Sequence, residues 1–589
     1  MQGFFKIMFA TVAGFFFTFF ILPILFILMA AITSSSDDSA TKVKDNTVLH
    51  IQFKTAIKDR ASDSPLDNFD FETFSSKKDL SLGTIIKNIK KAKTDDRIKG
   101  IYLDLSSIHA GMATIEEIRA ALNDFKSSGK WIYSYSEIYT QGTYYLASVS
   151  DKVYLNPAGL VELRGLASQL MFFKNALEKL EVEVQIIRHG KFKSAVEPFM
   201  LEKMSASNRE QMEKLLNTAW GSMINSISGS RDISVAKINE LADGIKIQDA
   251  KDALKYKFVD QLVYKDQLIA ELQKTLELEE TDEINYISLT KYVNAEVKGE
   301  EEVSSDNQIA VIYAAGDIVS GKSTKDKMGS ETISAAIREA RLDDDIKAIV
   351  LRVNSPGGSA LASDIMWREV VLAKKAKPVI VSMGDVAASG GYYIACAADK
   401  IVASEKTITG SIGVFGVIPN AKGFFNNKLG ITFDTVKTNT HADMMTIFRP
   451  LTAEEKDIIQ IGVEKIYDDF ITKVAAGRGM TKEEIDAIGQ GRVWTGIDAL
   501  EIGLVDEIGG LNRAIEIAQE TAKLEDYELV AYPKKKDAFQ QMILELAGGA
   551  EAKFLEAKLG ENYKYYQKIE QISTQSGIMA RMPFDIDVH

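Results

Sequence analysis

The chain has 589 residues, 46% hydrophobic and 26% charged, a composition of folded protein and a length beyond one hydrophobic core. Its formal net charge of −13 excludes the basic face that nucleic acid requires, so no nucleic-acid partner is expected. The single cysteine, Cys396, excludes an internal disulfide framework and a multi-cysteine metal site.

The first element is apolar. "IMFATVAGFFFTFFILPILFILMAAI", residues 7–32, carries no charge over 26 residues. At about 1.5 Å of rise per residue it spans a hydrocarbon core of about 30 Å with some tilt. The apolar region of a cleaved signal peptide is about 7–15 residues long, so the length favours an uncleaved signal anchor over 1–34. The following "AAITSSS" leaves cleavage as the alternative. Lys6 precedes the span and Asp37 and Asp38 follow it, which puts the N-terminus in the cytoplasm and the rest of the chain outside.

After a linker over 35–45, the chain nearly repeats itself. "KKAKTDDRIKGIYLDLSS" (90–107) matches "REARLDDDIKAIVLRVNS" (338–355), and "IYTQGTYYLASVSDKVY" (138–154) matches "VAASGGYYIACAADKIV" (386–402), both at an offset of 248. "DALKYKFVD" (252–260) and "DALEIGLVD" (498–506) follow at 246. A register kept over such a distance is a duplicated domain. "IKGIYLDL" and "IKAIVLRV" read as strands buried on both faces. "TIEEIRAALNDFKSSGK" and "ASDIMWREVVLAKKAK" read as amphipathic helices with basic C-termini. Strands "WIYSY" and "VIVSM" come next, then the helices "GTYYLASVSD" and "GGYYIACAAD". This alternation predicts parallel βαβ crossovers and an α/β fold. The repeats are assigned to 46–295 and 309–530, joined by the polar linker 296–308. In the remainder, 531–589, Phe539, Met542, Ile543 and Leu546 fall at helical spacing, so a helical tail is expected.

"GDIVSGKS" (316–323) spells a phosphate loop. That loop needs a helix starting at its Lys-Ser, whereas here the helix is expected only after Ser330. No cofactor loop or metal cluster is otherwise visible, so no cofactor is expected.

Ser389 stands between a strand and a helix, followed by Gly390 and Gly391. Upstream, "NSPGGSA" (354–360) ends the preceding strand in a loop whose free amides, with that of Gly390, suit an oxyanion. In the first repeat the corresponding loop is "SSIHAGM" and the serine position is Gln141, so one copy keeps the scaffold without the hydroxyl. A nucleophilic serine needs a base. His50, His109, His189, His441 and His589 lie in no triad context. The alternative is a lysine with a lowered pKa, and "RHGKFKSAVEPF" (188–199) offers Lys191 and Lys193.

"VNSPGGSA", "AASGGYYIA", "TGSIGVFGVI", "KFKSAVEPF" and "GRVWTGIDALEIGLVD", in this order apart from the lysine motif in the first repeat, resemble the long duplicated form of bacterial signal peptide peptidase, protease IV. That resemblance covers about 46–530 and the anchor. It implies two tandem Clp-protease/crotonase-like domains and a serine protease with a Ser–Lys dyad. Carried over by motif, Ser389 is the nucleophile and Lys193 the base. The amides of Gly357 and Gly390 form the oxyanion hole, with Gly358 as the alternative to Gly357, and Ser411 orients the lysine. The resemblance further implies a homotetramer on the outer side of the inner membrane, acting on signal peptides and other hydrophobic peptides. The rival reading is a catalytically silent binding or scaffold protein on the same fold.

Overall fold

Parallel strands with apolar residues on both faces build both halves of the chain, which the computed structural model describes over residues 2–21, 41–61, 69–70, 75–76, 80–297, 305–324, 326–534, 558 and 577–582. The N-terminal helix Gln2–Phe16 (α1) continues as a π-helical turn, Phe17–Ile21. Phe4, Ile7, Phe9, Val12 and Phe15 on it are all exposed. Among the described residues no helix is long and apolar enough to cross a membrane. Residue 1 and residues 22–34 of the expected anchor lie outside the described residues.

In the first repeat, Thr47–Ile51 (β1), Ile98–Asp104 (β2), Trp131–Tyr139 (β3) and Lys152–Val161 (β4) pair side by side in parallel. Glu183–Arg188 (β5) leaves this sheet, and Gln261–Leu262 (β6) and Asn285–Ser288 (β7) form its edges, in the order β6-β4-β3-β2-β1-β7. Helices Met112–Lys126 (α2) and Gln141–Ala147 (α3) lie in the crossovers, and the long helix Ala206–Arg231 (α4) follows β5.

The second repeat rebuilds this arrangement from Gln308–Ala315 (β8), Asp317–Val319 (β9), Lys327–Gly329 (β10), Ile346–Ser355 (β11), Gly357–Ser359 (β12) and Val379–Ala388 (β13). It continues with Lys400–Ala403 (β14), Ile408–Gly410 (β15), Phe415–Asn420 (β16), Val493–Thr495 (β17), Glu507–Ile508 (β18) and Glu528–Tyr532 (β19). The main sheet runs β17-β15-β13-β11-β8-β19, with β14 branching off β13 and β18 off β14. Only the β15–β17 pair in it is antiparallel. One face of β11 and β13 packs Leu351, Val353, Val381 and Met383 against Met366 and Val370 of helix Ala360–Lys374 (α6), while the other presents Val350 and Ile380 to Leu511 and Ala514. Burial on both sides explains why these strands read as unbroken apolar runs. Helix Ser330–Leu342 (α5) begins seven residues after Ser323 of the "GDIVSGKS" spelling, with Gly329, not Ser330, at its N-cap. The phosphate-loop geometry is therefore not present there.

Contacts of three kinds tie the repeats together. Strand β5 of the first repeat crosses to the second and pairs antiparallel with β16, Phe415 opposite Arg188 and Asn420 opposite Glu183. Fully buried Arg352 on β11 meets Asp59 and Glu117 of the first repeat, each at 2.7 Å. Burial pulls the guanidinium down, and the two carboxylates overcome it and raise its pKa; burial likewise raises Glu117 against the pull of Arg352. Asp385 caps the start of α2 from the other repeat, accepting from the Thr114 amide at 3.0 Å and its hydroxyl at 2.7 Å.

Two described stretches of the assigned tail, 531–589, are strand. Tyr532, beyond the assigned repeat boundary at 530, still belongs to β19 in the main sheet. Gly577–Arg581 (β20) is a strand in a third sheet, ordered β10-β9-β12-β20-β16-β5. Its partners β12 and β16 lie more than 150 residues upstream, so no local periodicity announced it; the stripe 539–546 lies outside the described residues.

Candidate active site

At the C-terminal end of β13 the backbone turns sharply into helix Gly390–Ala395 (α7), and Ser389 sits at the turn. Its φ of 54° and ψ of −112° lie where L-residues are strained, a conformation held by its amide donating to the Gly410 carbonyl at 2.8 Å. The glycines after it answer to space. A Cβ on Gly390 would come within 2.6 Å of Ser363 Oγ, and one on Gly391 within 2.7 Å of the Ser355 carbonyl. Gly390 opens α7, so its amide has no acceptor within the helix.

Lys193 follows β5. The β5–β16 ladder carries it across the repeat boundary, and the structure brings its Nζ within 2.9 Å of Ser389 Oγ in the same chain. Nζ also lies 2.9 Å from Ser411 Oγ and 3.1 Å from the Ser411 carbonyl. The side chain is fully buried, and none of the ion pairs among the described residues includes it. Burial alone holds its amine well below the ordinary 10.5. Lys191, the other candidate, is exposed, its ammonium over the Phe192 ring.

The expected oxyanion donors divide. The Gly357 amide donates to Ser355 Oγ at 3.2 Å, and Ser355 in turn donates to the Gly316 carbonyl at 2.6 Å. Gly358, the alternative, pairs with Ala580 of β20. Gly357 at φ 99° and Gly358 at φ 156° make this turn possible.

Sequence reasoning missed three residues that shape the lysine's seat. A Cβ on Gly413 would lie 3.2 Å from Lys193 Cδ, and one on Gly491, at φ 81°, would lie 2.6 Å from Lys193 Cβ. Gln211 on α4 donates to Ser194 Oγ at 2.7 Å and accepts from the Val493 amide at 3.4 Å, clamping the lysine loop to β17. The glycines stood inside the motifs "TGSIGVFGVI" and "GRVWTGIDALEIGLVD"; Gln211 left no signal.

Gln141, at the serine's position in the first repeat, is a clasp. Its carbonyl oxygen accepts from the amides of Arg164 and Gly165, both at 2.9 Å, and its amide donates to the Gly165 carbonyl at 3.0 Å. No histidine among the described residues is bonded to Ser389: His50 meets Asp104, His189 stacks on Tyr467 and His441 meets Glu455.

Residues 124–279 and 372–525 match Peptidase family S49, one segment in each repeat, and residues 299–407 match Clp protease. The chain is 38% identical over 486 residues to Protease 4 of Salmonella typhi, across 81% of this chain and 78% of that one. It is 35% identical over 455 residues to the chloroplastic Serine protease SPPA of Arabidopsis thaliana, across 76% and 66%. Over 244 residues it is 34% identical to the Putative signal peptide peptidase SppA of Enterococcus faecium, across 41% and 71%. A strained serine at a strand-to-helix turn of a repeated α/β unit and a family match in both repeats lead to one conclusion: the chain belongs to peptidase family S49 and is a serine peptidase with duplicated, Clp-protease-like domains.

Proposed function

We propose that the chain is a membrane-anchored endopeptidase in which Ser389 attacks and neutral Lys193 is the base. The observation that carries this is a buried amine without a carboxylate partner among the described residues, 2.9 Å from a strained serine hydroxyl. A neutral amine has two hydrogens and one lone pair. Donating both hydrogens to the Ser411 hydroxyl and carbonyl aims the lone pair at Ser389, which gives Ser411 its orienting role. Lys193 takes the serine proton as Oγ attacks a peptide carbonyl, the amides of Gly358 and Gly390 hold the oxyanion, and the lysine returns the proton to the leaving amine. Water then hydrolyses the acyl-enzyme. A serine-directed fluorophosphonate tests the reading: it should label Ser389 in the wild type and not in Lys193→Met, while an unlabelled wild type would favour a silent scaffold.

Two antiparallel walls, β12 and β16, suit an extended peptide, and the names of relatives support signal peptides among the substrates. The exposed apolar side chains of α1 support an anchor that continues into the charge-free run, with the repeats (46–295 and 309–530) on the outer side of the inner membrane. Exposed Leu429, Ile431 and Val436 supply an apolar surface for the homotetramer.

The pH dependence has a definite sign. Only the neutral amine works, so kcat/KM should climb with pH through the lowered pKa of Lys193 and level off well below 10.5. A rate that climbs only as an ordinary surface lysine titrates would remove the lysine from the mechanism. Gly491→Ala tests the seat: a methyl against Lys193 Cβ moves the amine, and a displacement of about 1 Å costs on the order of 10²-fold in rate. Thermal melting should show the variant still folded, and unchanged kinetics would mean the cradle plays no part.

A further inference from the structure

The parallel register between β11 and β13 slips just before the serine. Pairs step residue for residue from Ile349 opposite Val379 to Val353 opposite Met383, but the next pair is Ser355 opposite Ala387. Strand β13 therefore carries extra residues in the stretch Gly384, Asp385 and Val386, shortly upstream of Ser389. A bulge bends its strand and re-aims the residues beyond it, so whatever holds this one sets where Ser389 points. On the other side of the slip, β11 runs through Ser355 and Pro356 into Gly357 and Gly358, the turn that carries an oxyanion donor.

Asn354 fills the slip. Its Oδ1 accepts from the Val386 amide at 3.2 Å, in place of a backbone carbonyl of a regular ladder. A Cβ on Gly384 would come within 2.8 Å of Asn354 Cγ, so the glycine makes room for the side chain against the bulge. Nδ2 of Asn354 donates to Asp59 Oδ2 at 2.7 Å, and Asp59 Oδ1 accepts from Arg352 Nε at 2.7 Å. The Gly316 amide donates to the Asn354 carbonyl at 3.0 Å, and the Gly316 carbonyl takes the Ser355 hydroxyl. Within the bulge, Thr407 Oγ1 donates to the Gly384 carbonyl at 2.8 Å, and the Asp385 carboxylate takes both groups of Thr114. Asp59 and Thr114 belong to the first repeat. At the offset of 248 that repeat has Ser106 in the place of Asn354 and Ser136 in the place of Gly384. There Ser136 Oγ accepts from the Ile138 amide at 3.2 Å and donates to the Leu105 carbonyl at 2.8 Å, so the strand closes its own irregularity. The repeat with the serine instead refers its irregularity to the repeat without one.

We propose that Asn354 is a positioning residue for the reaction, and that the first repeat, through Asp59 and Thr114, sets how Ser389 stands relative to the oxyanion turn. This rests on the Ser389–Lys193 peptidase reading. The residue type follows from the bridge: a carboxamide accepts from the Val386 amide at one end and donates to the Asp59 carboxylate at the other, which neither a carboxylate nor an apolar side chain does. An oxyanion hole acts on the transition state, so the loss of this bridge falls on kcat and not on KM.

The test is steady-state turnover of a fluorogenic apolar peptide by the full-length chain in detergent, normalised to the folded fraction and run beside fluorophosphonate labelling. Asn354→Asp removes the donor and faces Asp59 with a second carboxylate; kcat should fall on the order of 10²-fold, with KM within about twofold of wild type. The pH at which kcat/KM levels off should stay where it is, because the seat of Lys193 is untouched. Asn354→Asp combined with Asp59→Asn reverses donor and acceptor across the same bridge and should return kcat to within about tenfold of wild type, a recovery that a general loss of packing would not give. Asn354→Ala brings no charge into the seam, should show the same fall, and supplies the measurement if Asn354→Asp does not fold. Wild-type kcat in either single variant, a loss carried by KM, a shifted pH profile, or a double variant no faster than the single ones overturns the proposal and leaves the peptidase reading standing. A wild type that the fluorophosphonate does not label overturns both.

Discussion

Lys193→Met should lower kcat/KM by about 10⁴-fold, the upper end of what a general base contributes, because no histidine or second amine among the described residues is bonded to Ser389. Methionine keeps an unbranched stem between Gly413 and Gly491, so the loss reports on the amine and not on collapse of the loop. Ser389→Ala should remove labelling altogether, and a Ser389→Ala/Lys193→Met double variant should be no worse than the serine variant alone, since residues that act as a unit are not additive. Residual peptide cleavage in Lys193→Met at more than a tenth of the wild-type rate would refute the assignment. Stability gives an independent readout. Unfolding frees Lys193 from the burial that disfavours its protonation, so between the lowered pKa and 10.5 the unfolded state binds more protons and wild-type stability rises with pH. Lys193→Met should therefore melt higher than wild type near pH 7, with the gap closing towards pH 10.5. A variant less stable than wild type at pH 7 would mean that the amine is charged when folded.

Arg352→Met should be the most destabilising change outside the cleft. The residue is wholly buried between Asp59 and Glu117, and its loss takes away the cation that pairs with both carboxylates in the seam between the repeats. Breaking a buried pair by removing one partner costs about 3–5 kcal/mol, read as a fall in the chemical-denaturation midpoint. The triple change Arg352→Met, Asp59→Asn, Glu117→Gln should recover most of that loss, because neutral groups need no counter-charge. The Asn354 amide donates to Asp59 at 2.7 Å, and the carbonyl oxygen introduced by Asp59→Asn still accepts from it. If Arg352→Met alone melts like wild type, the seam is held by the packing around it and not by its charges.

Different parts of this architecture were legible to different degrees, for physical reasons. Parallel strands buried on both faces leave unbroken apolar runs, and the alternation of Ile346–Ser355 with α6 and β13 could be read directly. Ser389 stood out because Gln141 occupies its place in the other copy. Its meeting with Lys193 could not be read from spacing: the two are 196 residues apart, and the crossing of β5 into the other repeat's sheet is a tertiary event; family resemblance paired the two residues without saying whether they meet within one chain. The choice between Gly357 and Gly358 turns on which amide Ser355 Oγ captures, a matter of backbone rotation at two adjacent glycines. The strand Gly577–Arg581 escaped detection for the same reason as the lysine, since five residues acquire a strand identity only from walls supplied by distant parts of the chain.

The passage of β5 onto β16 has a further consequence for how dead and living copies combine. Both halves of the proposed chemistry ride on one polypeptide, so a Ser389→Ala chain mixed with a Lys193→Met chain cannot repair it, whatever the stoichiometry of the particle they form. In mixed assemblies output should fall linearly with the fraction of poisoned subunits, each intact molecule being a self-sufficient workshop.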